Sequence, residues 1–115
     1  MSSKQSTVDF LLEQMAQAGA ISSKKMFGEY ALYCNQKVVA FVCDDQLFVK
    51  PTNAGRTLLG KCLEAPPYPG AKLYFLISGD LWEESDWLAQ LIRVTADELP
   101  LPKPKVKRPK NGSPK

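Results

Sequence analysis

Histidine is absent from all 115 residues. Its absence removes the commonest general base and the commonest metal ligand at neutral pH. Cysteine is scarce: Cys34, Cys43 and Cys62 make an odd number with no C-x-x-C spacing, a poor disulfide framework and a poor zinc site. Cys34 and Cys43 lie within apolar stretches, where a free thiol behaves as a small hydrophobe. Neither a cofactor nor a metal is expected. No apolar run approaches the ~20 residues a membrane-spanning helix needs. The polar start, Met1 to Ser6, has no apolar signal-peptide stretch behind it. A cytoplasmic protein with no membrane association is expected.

Acids are missing from one segment. Residues 100–115 hold Lys103, Lys105, Lys107, Arg108, Lys110 and Lys115 without a single Asp or Glu, leaving nine basic and twelve acidic groups for residues 1–99. The chain therefore divides into a mildly acidic domain, 1–99, and a Pro/Lys-rich tail, 100–115, which has almost nothing to bury and is expected to be disordered. Clustered lysines gain affinity for nucleic acid by releasing phosphate counterions, so Lys103, Lys105, Lys107, Arg108 and Lys110 are candidates for nonspecific contact. The tail has no aromatic side chain to stack on bases. A solubilising terminus is the plainer reading.

What is present reads as α+β. Val8, Leu11, Leu12, Met15 and Ala16 form one helical stripe, with Phe10 off it. Ser6 is the expected N-cap and Gly19 the expected left-handed stop. From Lys25 the period falls to two. Lys25–Cys34, Lys37–Cys43 and Gln46–Lys50 read as three strands, joined by turns at Asn35-Gln36 and Asp44-Asp45. Asn53 is placed to cap a short helix closed by Gly60, and a stiff loop, Ala65–Gly70, carries three prolines. Leu73–Ile77 is a fourth strand. A last helix, about Glu83 to Leu99, has Trp87, Leu88, Leu91, Ile92 and Thr95 on one stripe and acids in its first turn.

An antiparallel sheet of about four strands follows, a meander plus one, with the N- and C-terminal helices packed on it. Val38, Ala40 and Val42 alternate with Val39, Phe41 and Cys43, so both sheet faces need cover. Two helices cover one face. The proline loop or a second copy of the chain, as a homodimer, covers the other.

No catalytic constellation stands out. Asp44-Asp45 is explained by turn chemistry. Gly55 and Gly60-Lys61 have the glycine spacing of a P-loop, but Cys62 replaces the Ser or Thr that the motif requires, and Pro66-Pro67 leaves no room for its helix.

The block Lys24-Lys25-Met26-Phe27-Gly28-Glu29-Tyr30, followed by Ala40-Phe41-Val42 and Leu47-Phe48-Val49-Lys50, resembles the TfoX/Sxy N-terminal domain family over about residues 6–99. The resemblance implies a non-enzymatic regulatory or interaction domain. The family's better-known members regulate natural competence with the cAMP receptor protein at certain promoters, and carry a second helical domain. It implies a protein partner within the transcription machinery, with Lys25, Met26, Phe27, Gly28, Tyr30 and Lys50 as motif and candidate partner-binding residues. Their structural reading is core packing, a bulge at Gly28, and Lys50 closing a sheet edge. The alternative is a small enzyme or metabolite-binding protein using the region of Lys24, Lys25, Tyr30 and Lys50.

Overall fold

The computed structural model describes residues 3–26 and 29–100. The tail lysines and Arg108, and the motif residues Phe27 and Gly28, lie outside the described residues. The element order is α1 (Gln5–Met15), β1 (Ile21–Met26), β2 (Glu29–Cys34), β3 (Lys37–Cys43), β4 (Gln46–Val49), α2 (Asn53–Leu59), β5 (Leu63–Ala65), β6 (Tyr74–Ile77) and α3 (Ser85–Glu98). The sheet has six strands rather than about four, all antiparallel, in the order β1-β2-β3-β4-β6-β5. β1 and β5 account for the difference, and the strand expected over Lys25–Cys34 divides into the end of β1 and the whole of β2. β1 carries Ser22, Ser23, Lys24 and Lys25, and β5 has three residues, so neither shows an apolar alternation.

Both expected turns form. Asn35 and Gln36 have φ of 53° and 72°, and Asp44 and Asp45 have 53° and 56°. Positive φ at both central residues twists the turn with the strands it joins. Gln36 takes this conformation without glycine's freedom.

The first helix starts differently from expectation. Lys4, not Ser6, is the N-cap, and its side chain makes no cap bond. The carboxylate of Asp45 does the capping instead: Oδ1 accepts the Lys4 amide at 2.8 Å and the Thr7 hydroxyl at 3.1 Å. Nor does Gly19 adopt a left-handed cap. Its φ of 153° and ψ of −153° follow a 3₁₀ turn over Ala16–Ala18. A Cβ at Gly19 would stand 2.7 Å from Asn35 Oδ1, which accepts the Ala20 amide at 2.9 Å.

At α2 the cap is Thr52 rather than Asn53, with Gly55 donating its amide to Thr52 Oγ1 at 3.0 Å. Glu98, at the end of α3, accepts the Asn53 and Ala54 amides at 2.8 and 2.9 Å. Gly60 closes α2 at φ 66°, the left-handed region glycine tolerates.

The core lies between the sheet and the helices. Val8, Leu11 and Met15 of α1 and Leu88, Leu91, Ile92 and Ala96 of α3 pack onto Leu32, Val42, Leu47, Val49, Phe75 and Ile77. The register shifts between Leu32, opposite Ala40, and Tyr33, opposite Val38. Val39 is the extra residue of a β-bulge and joins Ala40 and Val42 in the core. The simple alternation of Val39 with Ala40 expected from the sequence is thereby broken.

Candidate functional site

Register places a second set of side chains on the face away from the helices. Ala31 faces Phe41, Phe41 faces Phe48, Phe48 faces Leu76, and Leu76 faces Leu63. Directly opposed residues share a face because strand side chains alternate. The proline loop covers part of this surface. Pro67 is buried, and the Tyr68 ring meets Phe41 edge-on at 6.4 Å between centroids. Tyr74 tilts against Phe41 at 5.6 Å, completing an aromatic group of the kind that adds to simple area burial.

Cover is incomplete. A cleft of about 530 Å³ opens between β1, β2, β3 and the loop, lined by Met26, Glu29, Tyr30, Phe41, Cys43, Pro67 and Tyr68. Leu63, Tyr68 and Leu73 are the most exposed large apolar residues among the described ones, at 72%, 55% and 53% of full exposure.

Burial shifts two of the titratable groups in and beside the cleft. Burial, helped by Glu29 and Asp44, pushes the Cys43 thiol up to about 11. Burial of this kind keeps the thiol protonated, as in a packing cysteine. Burial and then the neighbouring Tyr68 raise the Tyr74 hydroxyl. The Glu29 carboxylate is held at the cleft's end, accepting the Ser3 hydroxyl at 2.6 Å and the Asp44 amide at 3.1 Å.

The motif residues do not converge. Met26 lines the cleft, half-buried. Tyr30 is buried, and its hydroxyl donates to Gln5 Oε1 at 2.9 Å, tying β2 to α1. Lys24 and Lys25 are exposed on β1, opposite Ala31 and Tyr30. Lys50 is three strands away, past the end of β4, where its amide donates to Val39 O at 2.8 Å. Burial lowers its side-chain pKa. β4 lies between β3 and β6, so Lys50 does not close a sheet edge as expected.

The grooves divide these groups between them. Lys24 lines one of about 510 Å³ with Ser22, Ser23, Tyr33 and Gln36, and Lys50 lines another of about 420 Å³ with Tyr33, Lys37 and Pro100. No described groove holds Lys24 or Lys25 together with Tyr30 and Lys50. Among the described residues, no three His, Cys, Asp or Glu side chains are grouped to hold a metal ion, and no helix is long and apolar enough to cross a membrane. Sequence reasoning missed Phe41, Tyr68 and Tyr74 as a group. The aromatic in the proline loop was the available signal, since a Tyr among prolines has little local use.

Fold and surface together define a small α+β domain with helices on one sheet face and a loop-rimmed aromatic cleft on the other. Its sequence matches the TfoX N-terminal domain over residues 13–99. The chain belongs to the TfoX N-terminal domain family. It is also 42% identical over 105 residues, 91% of this chain and 90% of the relative, to an uncharacterized 12.7 kDa protein in the trpE 5′ region of Spirochaeta aurantia.

Proposed function

We propose that this chain is a non-enzymatic interaction domain of a regulatory system, engaging a protein partner in the transcription machinery as competence regulators of its family do. The observation that carries the reading is the contrast between its two sheet faces. The helix-covered face is closed by fully buried aliphatic side chains, while the opposite face carries an aromatic cleft with Tyr68 at its rim in solvent and, on β5, leaves Leu63 in solvent as well. Large apolar side chains left exposed on a sheet face that also holds an open aromatic cleft mark a surface for another macromolecule. Lys24, Tyr30 and Lys50 line three different grooves and Lys25 lines none of these, which supports this reading over metabolite chemistry. Lys103, Lys105, Lys107, Arg108 and Lys110 add nonspecific attraction to nucleic acid.

The test is photo-crosslinking in cells from an amino-acid probe placed at Tyr68, at Leu63, and at exposed Gln90 on α3. The same defined protein is expected from the first two positions and not from Gln90. Identical products from all three, or none, would refute the reading.

A further inference from the structure

β1 ends the sheet, and among the described residues no strand lies beyond it. In a strand, the N–H and C=O of one residue point the same way and alternate from residue to residue. The Asn35 amide donates to Ala20 O at 2.9 Å, so the main chain of Ala20 faces β2. By alternation Ser22, Lys24 and Met26 face β2 as well. The main-chain groups of Ile21, Ser23 and Lys25 then point outward, three donors and three acceptors in a row.

Charge around that row is of one sign. β1 reads Ile-Ser-Ser-Lys-Lys-Met, with two cations and no acid. The adjoining groove is lined by the side-chain donors Ser22, Ser23, Lys24, Tyr33 and Gln36 together with Ala20 and Ile21, and by no carboxylate. The nearest acid on the strand pair is Glu29, opposite Met26, and its two oxygens are taken by Ser3 and the Asp44 amide.

We propose that the β1 edge accepts an extended acidic segment of a partner protein as a seventh strand. Main-chain hydrogen bonds from Ile21, Ser23 and Lys25 supply pairing, and Lys24 and Lys25 select carboxylates on alternate faces. The same lysines disfavour a second copy of this chain. Antiparallel pairing of β1 with itself through Ile21, Ser23 and Lys25 would set the two copies' Lys24 side chains at diagonal positions on one face, and charge at an open edge is a standard defence against self-association. A partner strand carrying acids removes that penalty. The proposal rests on reading the chain as an interaction domain and names the chemistry of what it binds.

The probe is an acetylated, amidated hexapeptide, Val-Val-Glu-Glu-Val-Val, whose adjacent glutamates point to opposite faces, compared with its Lys-Val counterpart, Val-Val-Lys-Lys-Val-Val, and with a version N-methylated at alternate nitrogens. Amide hydrogen exchange of the full chain is followed by NMR. With the Glu-Val peptide, the Ile21, Ser23 and Lys25 amides are expected to slow about tenfold or more, a shift of binding-equilibrium size. Ser22 and Lys24, already paired to β2, should be unchanged. The N-methylated peptide should lose the effect, and the double variant Lys24→Glu/Lys25→Glu should exchange preference to the Lys-Val peptide.

Unchanged exchange at Ile21, Ser23 and Lys25 with millimolar Glu-Val peptide overturns the proposal. So does equal binding by the N-methylated form, or protection that appears at Leu63–Ala65 instead. If Tyr68 crosslinks a defined partner while the β1 amides stay unaffected, the edge assignment fails and the interaction domain stands.

Discussion

Asp45 and Lys4 are forty-one positions apart, yet the Asp45 carboxylate accepts the Lys4 main-chain amide at 2.8 Å. The tip of the β3–β4 hairpin thus caps the first helix. The Asp45 amide in turn donates to the Ser3 hydroxyl at 3.0 Å, so one turn fastens the start of the described chain twice. Asp45→Ala should lower the melting temperature and fray α1, whereas Asp45→Asn, which keeps an acceptor oxygen, should lose less. Circular dichroism melts with Asp44→Ala as control measure this. Equal loss for Asp44→Ala and Asp45→Ala would contradict the capping role.

Acid sensitivity follows from the same kind of bond. Hydrogen bonds from the Lys4 amide and the Thr7 hydroxyl hold Asp45 below its ordinary value of 3.8, and those from Ala54 and Asn53 hold Glu98 below 4.5. A carboxyl whose folded pKa is depressed contributes stability above its unfolded pKa and loses it as pH falls through the folded one. Urea midpoints should therefore be level above about pH 5 and drop toward pH 3. Glu98→Gln should flatten part of that drop. An acid limb as steep as the parent's in this variant would refute the Glu98 contribution.

Gly55→Ala sets two effects against each other. Alanine ordinarily gains about 1 kcal/mol over glycine inside a helix. Here the added Cβ would lie 2.8 Å from Thr52 Oγ1 and 3.3 Å from Phe75 Cε2. Thr52 is buried and holds the cap, so relief costs the cap bond, about 1 kcal/mol, together with repacking at Phe75. We expect net destabilisation in urea titration. A higher midpoint would show that the contact relaxes freely.

The two sheet faces should respond differently to truncation. Leu91 of α3 is fully buried against the sheet and its neighbouring helices, and Leu91→Ala should cost about 2–5 kcal/mol. Leu63 is mostly in solvent, and Leu63→Ala should stay within about 0.5 kcal/mol. Comparable losses at both sites would mean that the open face is already covered in solution.

Deleting residues 101–115 should leave the melting temperature unchanged, because the segment's sequence has little to bury. The deletion should abolish any weak DNA affinity. If the tail neutralises ~4–6 phosphates, binding of the full chain falls steeply with salt, at a slope near 0.9 per contact in logarithmic terms. Salt-independent binding, or a large drop in melting temperature on truncation, would contradict these expectations.

Much of this architecture was legible because its causes are local. Asn35-Gln36 and Asp44-Asp45 mark their turns through residues that tolerate positive φ, and Leu88, Leu91 and Ile92 mark α3 by their spacing. β1 escaped because an edge strand has no need of apolar residues on both faces, and its serines and lysines suit solvent. The α1 cap escaped because its donor and acceptor meet only after the meander forms. Strand order explains the rest. Spacing along the chain could not show that three strands' width separates Lys50 from Lys25, nor that a loop tyrosine reaches Phe41.

One consequence of the layering concerns synthesis. α3 is the last described element to leave the ribosome, yet it supplies Leu88, Leu91, Ile92 and Ala96 to the face that every central strand shares. Until it emerges, a nascent sheet has only α1 and the short α2 to shield it, and such intermediates are the sticky ones. A translational pause or premature stop before Ser85 would therefore release a species for chaperones or proteases.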